Sequence, residues 1–186
     1  MRRWIVIAIM LGAVGAPGGA HAGELHVAAG LDAADTSWKG DSAGYTRLEG
    51  SYRWKRWSVY AMSKGGYADV DERLLQHIGV GGAVWASWRG TRPYLRLGFT
   101  HQHENPRAAV DADPAGTLLG YGSGIRHRGG AGGGVGMQIP LRDTKWGDFY
   151  VEVETYADAM LGEQGPAWYW GAGAAVGFRY ELGRKK

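Results

Sequence analysis

The stretch LGFTHQHENPR, residues 97–107, carries the side chains best suited to chemistry. His101 and His103 stand two apart, with Glu104 and Asn105 next in line. On a β-strand, residues i and i+2 share a face, so both imidazoles would point the same way. Such a pair, joined by His127 from later in the chain, has the donors of a metal site. An imidazole also serves as a general base near neutral pH, and it can hydrogen-bond to sugars and phosphates. Two other candidates are weaker. Glu152 and Glu154 resemble a carboxylate pair for acid–base work, which needs a substrate cleft. The segment GGAGGGVG, 129–136, is glycine-rich, but it lacks the lysine and Ser/Thr of a phosphate-cradling loop and no helical pattern follows. Which chemistry applies depends on the elements that hold these residues.

The chain begins MRRWIVIAIMLGAVGAPGGAHA. Arg2 and Arg3 precede a short apolar run, and Ala20-His21-Ala22 is an A-x-A cleavage site. Residues 1–22 therefore read as a cleaved secretory signal, leaving 23–186 as one domain. The two arginines leave with it, so the formal charge of +3 falls by two. A nearly neutral chain has no electrostatic footprint for nucleic acid. There is no cysteine, which excludes a disulfide framework and a lipid-modified cysteine anchor. The composition is instead rich in glycine (33), tryptophan (9) and tyrosine (10).

After the signal, no apolar run is long enough for a membrane-spanning helix. The dominant period is two. Leu25, Val27, Ala29 and Leu31 alternate with His26, Ala28, Gly30 and Asp32. The same holds around Leu48, Tyr52 and Trp54; around Ile78, Val80, Val84, Ala86 and Trp88; around Leu95, Leu97 and Phe99; and from Trp168 to Leu182. About eight such strands can be counted, joined alternately by short basic turns (such as WKRW, RGTRP and PLRDTKWGD) and longer polar loops. The longest irregular segment runs from Glu104 to about His127, and essentially no helix is expected after the signal. Aromatic residues gather at both strand ends: Trp54, Trp57, Trp88, Tyr94, Trp146, Phe149 and Tyr180 at one, Trp38, Tyr45 and Trp168 at the other. This predicts an all-β fold, a closed antiparallel transmembrane β-barrel of about eight strands. The opposite faces carry Arg47, Glu49, Arg53, Arg96, Glu152, Glu154 and Arg179. In so narrow a lumen these should pair into a charged plug.

The whole mature chain resembles the small eight-stranded outer-membrane barrels, the group of the OmpA transmembrane domain and the OmpX-like proteins. The C-terminal GFRYEL, through Gly177, Tyr180 and Leu182, resembles their assembly signal. The resemblance implies an outer-membrane location, a monomer, lipid and lipopolysaccharide as surroundings, recognition of the last strand by the barrel-assembly machinery, and no cofactor. The regular alternation of short turns and long loops predicts that the segment from Glu104 to Arg126 lies outside the cell. The stretch from Phe99 to Asn105 resembles, in Phe99 and His101, the Phe-x-His-x-Ser-Asn segment of PagL-type lipid A deacylases. His103 occupies the serine position, and Asn105 is displaced by one.

The histidines thereby gain an address. They continue the parity of Leu97 and Phe99 and should emerge at the outer rim. The reading preferred from sequence is a polar collar in which His101, His103, Arg126, His127 and Arg128 contact lipopolysaccharide. The protein is then structural or binding rather than catalytic. The alternative is a lipid A-modifying hydrolase with His101 as general base and Ser123 as a nucleophile. No metal site is assigned, because convergence of the three histidines requires a strand pairing that the sequence does not supply.

Overall fold

The computed structural model describes residues 23–120 and 124–183. The expected signal, 1–22, lies outside the described residues. Eight strands follow in order: β1 (Glu24–Thr36), β2 (Ser42–Trp54), β3 (Trp57–Ala68), β4 (Arg73–Trp85), β5 (Arg92–Asn105), β6 (Arg126–Asp143), β7 (Asp148–Met160) and β8 (Trp168–Glu181). Each pairs antiparallel with the next, and β8 pairs with β1 to close the barrel. Closure removes every sheet edge, so no row of backbone donors is left for another chain.

The alternation in sequence becomes an inside-out barrel. Leu31, Leu97, Phe99 and Val176 are among the most exposed residues, Phe99 at 75%. Asp32, Arg47, Lys64, Arg96, Glu152 and Glu154 are buried. Burying charge is costly unless it is paired, and here it is. Arg47 donates to Glu154 at 2.7 Å and to Glu152 at 3.2 Å. Arg96 meets Glu154 at 2.5 Å and Glu49 at 2.7 Å. Lys64 Nζ lies 2.9 Å from Asp32 and 3.5 Å from the centre of the Tyr156 ring. A luminal gap beside Lys64, Arg96 and Asp158 measures about 10 Å³, about enough for one water. The expected plug is present, with two changes of partner: Arg179 pairs with Asp148 and Arg53 with Glu24, neither with the central acids.

Glycines make room for this filling. A Cβ on Gly177 would lie 2.1 Å from the Tyr150 ring, so the phenol can lie across the strand only because no side chain is there. The aromatic ends need two corrections. Tyr45 and Tyr94, expected in the girdles, are both buried in the lumen. Tyr94 packs on Trp85 with ring centres 4.6 Å apart. Their parity decides this, not their height along the strand. Trp54, Trp57, Trp88 and Trp146 are exposed at the short-turn end, and Trp168 and Trp170 at the long-loop end.

Element boundaries and content also differ from expectation. β4 stops at Trp85, and Trp88 instead bridges to Thr91 in the following turn. Pro140 to Asp143, expected as a turn, extends β6 through a bulge between Pro140 and Arg142, a usual way to accommodate a proline within a sheet. The expectation of no helix is wrong for the long loop. It contains α1 (Arg107–Ala112) and α2 (Pro114–Leu119). Their signals are local. Pro114 sits in the first turn of α2, Asp113 caps it by accepting from the Gly116 N–H at 2.9 Å, and Gly120 ends it in the left-handed region.

Candidate functional site

The long-loop end has two chemically different surfaces, one inside the barrel and one outside. Strand parity separates them. On β5, Gln102 and Glu104 turn in, while His101 and His103 turn out; on β6, Arg128 turns in and His127 out.

Inside, Glu104 is fully buried. It accepts from Arg128 at 2.7 Å, from the Tyr169 hydroxyl at 3.1 Å and from Gln102 at 3.2 Å. Arg73 stands beside it, Nε at 3.6 Å, and donates to Asp41 at 2.5 Å and to the Val70 carbonyl at 2.8 Å. Asp41 also accepts from Thr36 Oγ1 and from the Val70 N–H. Arg128 further donates to the carbonyls of Pro166, Leu161 and Gly162. This network is a lid frame. It ties the β1–β2, β3–β4 and β7–β8 loops to the barrel mouth through charge-assisted hydrogen bonds.

Arg128 is therefore not part of an outer collar. It is 3% exposed and wholly engaged beneath the 161–167 loop. β6 begins at Arg126, earlier than the glycine run suggests, and its alternation carries Arg128 inward. Arg126 is partly exposed, with Nη1 3.8 Å from Asp71. Ser123 lies outside the described residues.

Outside, His103 lies directly opposite His127 across the β5–β6 pairing, and His101 lies opposite Gly129. The three rings gather. His101 Nε2 and His103 Nε2 are 2.9 Å apart. Ring centres are 4.8 Å apart for His101–His103, 4.4 Å for His103–His127 and 5.9 Å for His101–His127. One nitrogen from each falls within 4.8 Å of the others. His101 and His127 are exposed, and His103 is half-buried. Among the described residues, the hydrogen-bonding partner of His101 is another imidazole, neither a hydroxyl nor a carboxylate. Glu104, the nearest acid in sequence, points the other way. Among the described residues, no hydroxyl or carboxylate is placed to orient or use His101 as a general base.

The luminal carboxylates are settled by their neighbours. Glu152 and Glu154 are both tied to Arg47 in a filled lumen, with no cleft between them. Sequence reasoning missed the inner half of the loop end: Arg73, Asp41, Gln102 and Tyr169. Glu104 was seen only as a neighbour of the histidines. The available signal was polar residues at inward parity beyond the apolar band.

No protein-family model matches the sequence, and no curated protein matches it. Solved structures do. Neisserial surface protein A superposes with a TM-score of 0.56 at 12% identity, over 86% of this chain and 97% of that one. Ail, the attachment invasion locus protein of Yersinia pestis, superposes with a TM-score of 0.51 at 11% identity, over 86% of this chain and 99% of that one. At such identities the likeness shows the fold: this chain has the closed eight-stranded antiparallel architecture of the small outer-membrane barrels. The local resemblance to lipid A deacylases finds no counterpart among these matches.

Proposed function

We propose that this chain is an outer-membrane protein of structural or binding role, a sealed barrel that holds its long-loop rim among lipopolysaccharide headgroups. The observation that carries the reading is the inverted polarity. Leucine, valine and phenylalanine cover the outside, while Arg47, Lys64, Arg96, Asp32, Glu152 and Glu154 are paired inside. That surface is stable in lipid and unsuited to water. Exposed tryptophans at both ends suit the two interfaces.

On this reading residues 1–22 are removed on export, and β8 is read by the assembly machinery. The short turns face the periplasm and the segment from Glu104 to Arg126 faces outward. The barrel is read as a monomer, and closure leaves no strand edge to which a second copy could add. The rim contacts to lipopolysaccharide come from His101, His103 and His127, with Arg126 beside them; Arg128 is withdrawn to the lid frame. The filled lumen argues for a scaffold and against a pore.

The test is fractionation followed by conductance. The protein should sediment with outer membranes, be cut in the 106–125 loop by protease added to intact cells, and give no discrete channel steps in planar bilayers. Recovery in the soluble periplasm, or stable unitary conductance, would overturn the reading.

A further inference from the structure

We propose that His101, His103 and His127 form a mononuclear site for a divalent transition metal of the zinc class, built on the outer face of the β5–β6 pair. The site goes beyond the scaffold reading and does not depend on it.

The first support is convergence. Residues two apart on a strand are separated by about 6.6–6.8 Å along its axis, and parallel rings would keep that spacing. The Nε2 atoms of His101 and His103 stand at 2.9 Å, so the rings lean toward each other. The third ring arrives from the neighbouring strand. His127 is register-paired with His103, and their ring centres stand 4.4 Å apart. Around a tetrahedral zinc with Zn–N bonds of 2.0–2.1 Å, ligand nitrogens lie about 3.3 Å apart. The 2.9 Å pair has only to open slightly, and His127 has only to close from within 4.8 Å. Side-chain rotations are enough; the strands need not move.

The second support is residue type. A surface designed only for phosphates is better served by arginine or lysine, which carry a fixed charge and more donors. Three clustered imidazoles repel one another once protonated. As neutral groups, their free nitrogens can ligate a metal. Imidazole sets of this kind suit zinc, copper(II) and nickel(II), and leave magnesium and calcium to oxygen ligands.

The third support is the shape of the surroundings. One side is walled. Gly120, at φ +80°, ends α2 against His103, and a Cβ there would lie 2.6 Å from the ring. Among the described residues, the other side is open. Gly129, opposite His101, has nothing within 4 Å of where its Cβ would be. Three protein nitrogens and an open fourth position are the arrangement in which zinc keeps a water. The other described histidines, His26 and His77, are buried in the lumen and do not compete.

The experiment uses tag-free, full-length mature protein folded in detergent, titrated with cobalt(II) as a coloured substitute for zinc. One equivalent should give the visible absorption of a tetrahedral site, and one equivalent of zinc should abolish it. His103→Ala should remove the signal. His101→Ala and His127→Ala should each weaken uptake at least tenfold. All three positions face outward, and the folded state of each variant is checked by its heat-modifiable gel mobility. Absence of stoichiometric uptake by the wild type, or uptake unchanged in the triple alanine variant, would overturn the proposal.

Discussion

Replacing Arg47 by methionine tests the lumen most sharply. Its side chain is 1% exposed and serves three acids: Glu154 at 2.7 Å, Glu152 at 3.2 Å and Asp32 at 3.7 Å. Their fates differ when the guanidinium goes. Asp32 keeps Lys64 at 2.9 Å, and Glu154 keeps Arg96 at 2.5 Å. Among the described residues, Glu152 keeps only the neutral Gln138 amide at 3.0 Å. One buried carboxylate is thus left without a cation, which places the loss at about 3–5 kcal/mol. Arg47→Met/Glu152→Leu should recover a large part of it, because removing both partners leaves no stranded charge. Urea unfolding of the barrel in lipid vesicles, followed by tryptophan fluorescence, measures both variants. A change below about 1 kcal/mol in Arg47→Met would refute the reasoning, since it would place Arg47 in a hydrated channel. Equal loss in the single and double variants would refute the pairing with Glu152.

Arg128→Ala should free the 161–167 loop, because it removes donors to three of that loop's carbonyls and to Glu104. Limited proteolysis with a glutamate-specific enzyme should then cut at Glu163 faster than in the wild type, and equal rates would count against the lid frame. On the structural or binding reading, purified protein should release no fatty acid from lipid A. Hydrolysis that is lost in His101→Ala would restore the deacylase alternative. Asp113→Ala should remove the cap on α2, at about 1 kcal/mol, and speed amide exchange over 114–119 while leaving the barrel melting temperature unchanged.

The barrel was legible because its pattern is local. Leu31, Leu48, Leu97 and Val176 each declare their face within a few residues of sequence, and a period of two has only one outward phase per strand. Paired luminal charges were legible for the same reason. What failed was height and length. Tyr45 and Tyr94 sit near strand ends, where a girdle is expected, yet their parity turns them inward. The outward parity that His127 shares with Ala131 and Val135 turns its neighbour Arg128 inward, out of the collar expected for it. The loop helices carry ordinary capping signals in Asp113, Pro114 and Gly120, but each spans only six residues, too few for a helical period to show. The convergence of His101, His103 and His127 was beyond reach for a different reason. It depends on the cross-strand register of β5 and β6, set by barrel closure and by a loop of about twenty residues, and no local pattern encodes it.

The central claim is that the apolar face looks out into lipid, and one measurement tests it directly. The chain has no cysteine, so single cysteines at Leu31, Leu48, Leu97 and Val176 can each carry a nitroxide label in protein reconstituted into vesicles. The account predicts that lipid-soluble oxygen relaxes all four labels strongly and a water-soluble nickel complex does not. Labels shielded from both relaxants, as they would be in the core of a soluble barrel, or relaxed mainly by the nickel complex, would contradict it.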